Sequence, residues 1–248
     1  MIKKRVLTLL AAFITYNIQA QEIPLHEIDP VATGNATWEV GEKTIEQKNC
    51  YPLQELNCYT LFLGITDKGH MLIQDYYESG QKCTDPYEVI FPHMAKESMS
   101  SRFSGRLTSI HGQMNIYYMN GHLIEKSFFN RGAYHGTSSR WHENGQKSSE
   151  IEYRNGWING LWIEWDKDGN KIKEIRTPNG FREGSTHWGW YTNGQKAFET
   201  HSDASGRSHG LSTEWYSNGQ KKSEITFEHG DVTSWCEWDN EGNLIKEY

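Results

Sequence analysis

The sequence predicts an all-β chain: an antiparallel meander of repeated β-hairpins with a short irregular N-terminal region. Three observations predict it. An aromatic residue followed four positions later by glycine recurs at Trp141/Gly145, Trp165/Gly169, Trp190/Gly194, Trp215/Gly219 and Trp238/Gly242, with an earlier copy at Tyr117/Gly121. These glycines are 24, 24, 25, 25 and 23 residues apart, and a fixed period of this size marks an array of one supersecondary unit. Asn144-Gly145, Asp168-Gly169, Asn193-Gly194 and Asn218-Gly219 are hairpin dipeptides, because tight turns need the positive φ that glycine adopts without strain. Between the turns lie short runs rich in β-branched and aromatic residues, which read as strands.

Within one unit, Gly160-Leu161-Trp162-Ile163-Glu164-Trp165 reads as a strand stopped by Asp166-Lys167-Asp168-Gly169. A second strand follows the turn, as in Gly219 to Phe227, and closes at a second glycine pair: Gly132/Gly136, Gly156/Gly160, Gly180/Gly184 or Gly206/Gly210. After Gly230 the second glycine is replaced by Ser234. Alternation along the second strand assigns its faces. One face carries Ile151, Ile175, Thr200 and Ile225 together with Tyr153, Thr177 and Phe227; the other carries Glu150, Glu174, Glu199, Glu224 and Glu247. Lys147, Lys171, Lys196 and Lys221 make a second series. Copies two strands apart are spaced by roughly 9 to 10 Å, and such charged ladders keep a sheet soluble while contributing little each. A residue present in every repeat serves what every repeat needs, which is folding, so chemistry is to be sought in single-copy positions.

The Tyr/Trp-x-x-Asn-Gly-Gln-Lys phrase, followed by Gly-x-x-x-Gly-x-x-x-Glu-Trp, resembles bacterial MORN-type repeat variants, many of which carry the label toxin-antitoxin system, YwqK-type antitoxin. The resemblance covers residues 105–248. It implies a MORN-like repeat sheet and an antitoxin or immunity-like role.

In chain order, residues 1–20 read as a signal peptide. Lys3-Lys4-Arg5 forms a basic start, Val6 to Ile14 an apolar run too short to span a bilayer, and Ile18-Gln19-Ala20 a small-residue cleavage site. The expected location is therefore exported, periplasmic or secreted. Loss of this segment leaves 22 basic against 32 acidic residues of the full chain's 25 and 32. Such a balance argues against nucleic acid and against anionic membrane surfaces. Residues 21–104 form an N-terminal region. Its first part, with Pro24, Pro30 and Gly34, reads as an extended lead-in, and 59–82 reads as a divergent hairpin repeat around Asp67-Lys68-Gly69. The stretch from Gly80 to Gly121, with Pro86, Pro92 and Ser98 to Ser104, reads as an insertion or irregular hairpin before the array of 105–248.

Four cysteines, Cys50, Cys58, Cys83 and Cys236, allow three connectivities in an exported chain. A bridge from Cys50 to Cys58 or Cys83 would pin the N-terminal region; Cys236 reads as a small buried residue. Their spacing is not that of a zinc site. Hydrophobic content is 36%, yet there are 10 Trp, 13 Tyr and 9 Phe, so cross-strand aromatic packing is expected to replace a thick core. His111, His135, His209 and His229 each precede a turn glycine and read as turn residues. No catalytic motif, metal-ligand spacing or phosphate-binding loop is present, so neither an enzyme nor a cofactor is expected. The sequence points to a protein-binding scaffold. The alternative is carbohydrate or cell-wall binding through Trp162, Trp188 and Trp235 on one exposed face.

Overall fold

Period-2 alternation, turn glycines and the absence of helical periodicity lead to a single architecture: the chain is all-β, as expected. The computed structural model describes residues 39–47, 56–90 and 110–248. The expected signal peptide, most of the lead-in, Cys50 and the Ser98 to Ser104 stretch lie outside the described residues; the end of the lead-in carries a strand, Lys43–Gln47. The strands are β1 (Lys43–Gln47), β2 (Cys58–Ile65), β3 (Met71–Tyr77), β4 (Tyr87–Val89), β5 (Ile110–Tyr117), β6 (Leu123–Asn130), β7 (Ala133–Tyr134), β8 (Gly136–Trp141) and β9 (Lys147–Arg154). They continue as β10 (Trp157–Trp165), β11 (Lys171–Thr177), β12 (Ser185–Trp190), β13 (Lys196–Ser202), β14 (Gly210–Trp215), β15 (Lys221–Glu228), β16 (Asp231–Trp238) and β17 (Leu244–Glu247). Each pairs antiparallel with the next, except that β6 pairs with both the short β7 and β8. The result is one meander, and among the described residues β1 pairs only with β2 and β17 only with β16.

The turns at the two ends of the strands differ. At the Asn-Gly end, His142 N–H donates to the Gln146 carbonyl at 2.8 Å and Gly145 N–H to the His142 carbonyl at 2.9 Å. The same pair of bonds recurs at Tyr77, Tyr118, Tyr191 and Tyr216. Beside each array turn the register slips by one residue, as between Arg140/Ser149 and Trp141/Lys147. Ser148 is thus a bulge residue, and the bulge restores pairing after a turn whose hand does not match the strand twist. At the other end, Arg131, Asn155 and His229 take positive φ just ahead of Gly132, Gly156 and Gly230. Two successive residues at positive φ make the tight turn that suits strand twist.

Core residues are concentrated in β2 to β6, just before the array and in its first strands, and not in the later repeats. Ile73, Tyr77, Tyr87, Val89, Ile110, Ile116 and Phe129 are buried there, drawn from strands β3 to β6. Polar groups sunk among them are satisfied: Tyr87 donates to the Asp75 carboxylate at 2.8 Å, and Arg140 Nε donates to Glu125 at 2.9 Å. From β9 onward Ile175 is the one large aliphatic in the buried set of the described residues. The hairpin expected at 59–82, the short β4 and the first strands of the array thus share the densest packing. The ring contacts also differ from expectation. Tyr134 stacks on Phe129 and Tyr153, but Trp165, Trp190, Trp215 and Trp238 lie beneath lysines, with Lys171 Nζ 3.9 Å from the Trp190 ring centre.

Cys58 is disulfide-bonded, whereas Cys83 and Cys236 are free. The alternative bridge through Cys83 is therefore not made. Cys83 sits among Tyr77, Ile116 and Ile124; burial first, and then the Asp75 charge, push its thiol up to about 12. Alkylation at about pH 8.5, near the ordinary thiol pKa, is expected to mark half-buried Cys236 and spare Cys83 until the fold opens. Peptide mapping by mass spectrometry checks this, and native labelling of Cys83 would contradict its burial.

The turn glycines are not equivalent, which corrects the expectation that positive φ alone demands them. Gly242 has φ +89, and its N–H donates to the Asp239 carbonyl at 3.1 Å. A Cβ there would also lie 3.2 Å from Gln220 Oε1 of the preceding turn, as one on Gly219 would from Gln195 Oε1. Gly242 is therefore held by its neighbour as well as by its backbone, even though it borders β17, whose four residues are exposed. At Gly194, φ is +81 and no other part of the chain comes within 4 Å of where a Cβ would stand, so a side chain there meets conformational strain alone. Gly194→Val is expected to cost on the order of 1 to 3 kcal/mol, read as a lowered thermal midpoint.

Candidate functional site

The repeated residues are consumed by contacts between successive repeats. The residue after the repeat tryptophan reaches forward: His142 Nε2 lies 3.0 Å from the Trp165 carbonyl, Tyr191 Oη donates to the Trp215 carbonyl at 2.9 Å, and Tyr216 Oη to that of Trp238 at 3.0 Å. Asparagine acts in two directions because its amide both donates and accepts. Asn193 Oδ1 accepts from Gln195 N–H at 3.1 Å, closing its own turn, while Nδ2 donates to the Ser217 carbonyl of the next turn at 2.7 Å. Asn144 and Asn218 do the same. At Asp166 and Asp239 the carboxylate accepts only from its own turn.

Lysine and glutamate are consumed likewise. Because the bulge inserts one residue, Lys147 and Glu150 share a face although three apart, and they pair at 2.6 Å. Lys171–Glu174 at 2.8 Å and Lys196–Glu199 at 2.7 Å repeat the contact. The two series expected as separate ladders are therefore one row of ion pairs, each with its lysine against the next tryptophan.

Single-copy residues gather elsewhere. Seven positions before each array turn glycine stand Ser138, Trp162, His187, Ser212 and Trp235. The register places these on one face with Ile151, Ile175, Thr200 and Ile225: Trp162 opposes Ile175, Ile175 opposes His187, His187 opposes Thr200, and Ser212 opposes Ile225. In β13 and β14 the large residues give way. Thr200 stands where Ile151, Ile175 and Ile225 stand in three other repeats, Ser202 where others have Tyr153, Thr177 or Phe227, and Ser212 where others have Ser138, Trp162, His187 or Trp235. There a groove of about 350 Å³ opens, lined also by His187, His201, Ser208, Glu214, Ser223, Ile225 and Phe227.

Its electrostatics are nearly neutral. Glu214 is paired with Lys222 at 3.0 Å, and that contact raises the Lys222 pKa. Burial, and then the nearby Lys173 charge, lower the His187 pKa, so its imidazole is uncharged at neutral pH. Ser185 Oγ links His187 Nε2 at 2.9 Å to Ser202 Oγ at 2.8 Å. Ser185 is 6% exposed, so its hydroxyl serves this chain of bonds and not an incoming electrophile. Thr200, Ser212 and Ser223 have no side-chain partner among the described residues. On the same face, Trp162 holds a buried indole N–H without an acceptor.

The three tryptophans expected on one exposed face are divided by the register. Trp162 and Trp235 lie on the groove face, opposite Ile175 and Ile225. Trp188, one residue beyond His187, points the other way, between Glu174 and Glu199. It donates to Glu199, whose pKa is lowered even though burial alone would raise it, because Lys196 and Trp188 outweigh that. All three are half-buried, and lysines cover two of the rings, Lys173 over Trp162 at 3.8 Å and Lys246 over Trp235 at 4.6 Å. The turn histidines also meet one another: His209 and His229 stack at 4.9 Å, and His229 Nδ1 lies 3.1 Å from Asp203. Among the described residues no three metal-ligating side chains converge. The groove itself was missed from sequence, although a signal was present: small residues coincide at three same-face positions, Thr200, Ser202 and Ser212.

Residues 134–155 and 208–229 match the family model described as MORN repeat variant. No curated protein matches the chain. Each matched stretch runs from the approach to one strand, through an Asn-Gly turn, to the far turn of the same hairpin, and the intervening repeats share its bonding pattern. These two stretches are thus similar to MORN repeat variants, and the other hairpins of the array follow the same period.

Proposed function

We propose that this chain is a non-enzymatic, exported repeat protein that binds a partner protein through aromatic tips at the far turns of the array. The observation that carries this is Trp157, 77% exposed at the tip of the β9–β10 hairpin. At the corresponding place other repeats have Ala133 and Asp231, so folding does not require an indole there. Phe181, 42% exposed, stands on the neighbouring loop at φ 68. The two loops touch, since a Cβ on Gly180 would lie 3.3 Å from the Ile158 carbonyl oxygen. Exposed aromatics on a rigid base are the residue type that anchors protein interfaces, and a phenylalanine held at positive φ marks backbone strain of the kind found at binding loops. An immunity-like role is the narrower form of this proposal, in which the partner is a toxin.

The test is capture from an envelope extract of the host, using the wild-type chain and a Trp157→Ala/Phe181→Ala variant side by side. A stoichiometric protein held by the wild type and lost with the variant is expected. Equal retention by both, or no protein partner, would sink the proposal; the variant should keep its thermal midpoint to within about 1 kcal/mol, as exposed substitutions do.

A further inference from the structure

The groove of β12 to β15 has a property that the aromatic tips lack. It lies where β13 and β14 part, their pairing being confined to Phe198/Glu214 and Glu199/Thr213 while β12–β13 and β14–β15 stay paired alongside. Its side chains are hydroxyls, the imidazoles of His187 and His201, and the apolar edges of Ile225 and Phe227; His201 is itself held by Thr186 at 3.1 Å and Glu199 at 3.5 Å.

This chemistry narrows the ligand. The one carboxylate, Glu214, is already matched by Lys222, so the groove offers no uncompensated charge to hold a phosphate, a carboxylate or a cation. What fits is a molecule rich in hydroxyls with a small apolar face and no net charge. Its volume, about 350 Å³, lies toward the small end of ligand pockets, which run from roughly 300 to 1,000 Å³, and suits one ring more than a long polymer.

We infer that this groove is a sugar-binding site, in which Thr200, Ser212 and Ser223 hydrogen-bond the hydroxyls of a neutral saccharide residue and Phe227 packs against its apolar face. One observation supports it beyond the lining: small residues coincide at Thr200, Ser202 and Ser212, and a local loss of packing is a cost to the fold that a site explains. The site is independent of Trp157 and Phe181, so either reading stands or falls without the other.

The repeat supplies its own controls. Ser212→Trp and Thr200→Ile each restore the residue that other repeats carry at that position, filling the groove in a fold that already accommodates the side chain. Ser223→Ala removes one hydroxyl without filling anything. The full chain is titrated with N-acetylglucosamine, glucose and galactose, in parallel with inorganic phosphate and a neutral glycine-serine peptide, and amide shifts are followed by NMR. Saturable shifts at Thr200, Ser212 and Ser223 with at least one sugar are expected. Each filling variant should weaken that binding by roughly tenfold or more while keeping or raising the thermal midpoint, and Ser223→Ala should weaken it without changing the fold. The inference is overturned if no sugar gives saturable shifts, if the filled variants and Ser223→Ala bind as the wild type does, or if the groove responds to the peptide or to phosphate and not to a sugar.

Discussion

From β9 onward few side chains are fully buried, so stability there must be passed sideways from hairpin to hairpin. The interaction on which this depends is the forward reach of each Asn-Gly turn. Asn193 both closes its own turn and donates to the Ser217 carbonyl, and Tyr191 donates to the Trp215 carbonyl one repeat on. A turn that binds its successor couples adjacent units, which is the nearest-neighbour logic of linear repeat proteins. The far turns add to the coupling: Gly132 N–H donates to the Ile110 carbonyl, Gly156 N–H to that of Tyr134, and Gly230 N–H to that of Ser208. Where aspartate replaces the aromatic-asparagine pair, as at Asp166, the turn satisfies only itself.

This coupling explains why the most repetitive residues are the least informative about function. Tyrosine, asparagine, glutamine, lysine, glutamate and tryptophan of the repeat are spent on one another. Function must then sit where the pattern lapses. The array lapses inward at Thr200, Ser202 and Ser212, leaving a hydroxyl-lined groove, and outward at Trp157, leaving an indole in solvent. Neither change improves folding, which gives both their interest.

Stability is also distributed unevenly. The strands from β2 to β6 bury Tyr77, Tyr87, Ile110 and Phe129 around satisfied carboxylates, Asp75 and Glu125. This end anchors the meander, while β13 to β17 rest on ladder bonds, turn bonds and half-buried ion pairs. Local opening free energy follows buried apolar contact, so the array is the part of the sheet that opens most readily.

The sequence by itself determined the period, the turn glycines, the strand positions and the antiparallel meander, because each depends on local chemistry: positive φ at glycine, two-residue alternation, and recurrence of one phrase. Tertiary structure alone decided which residues meet. The bulge beside each Asn-Gly turn shifts the face count by one, which joins Lys147 to Glu150. Turn packing sets Gln220 against Gly242 while leaving Gly194 open. Strand register puts Trp188 on the face away from Trp162 and Trp235. The core of β2 to β6 escaped sequence reading because Tyr77, Tyr87, Ile116 and Phe129 come from four different strands, and which of them meet is set by pairing. The groove escaped because it belongs to no single repeat: it exists only where the small residues of β13 and β14 lie beside His187 and Phe227 of their neighbours, and adjacency across strands is set by pairing, not by order along the chain.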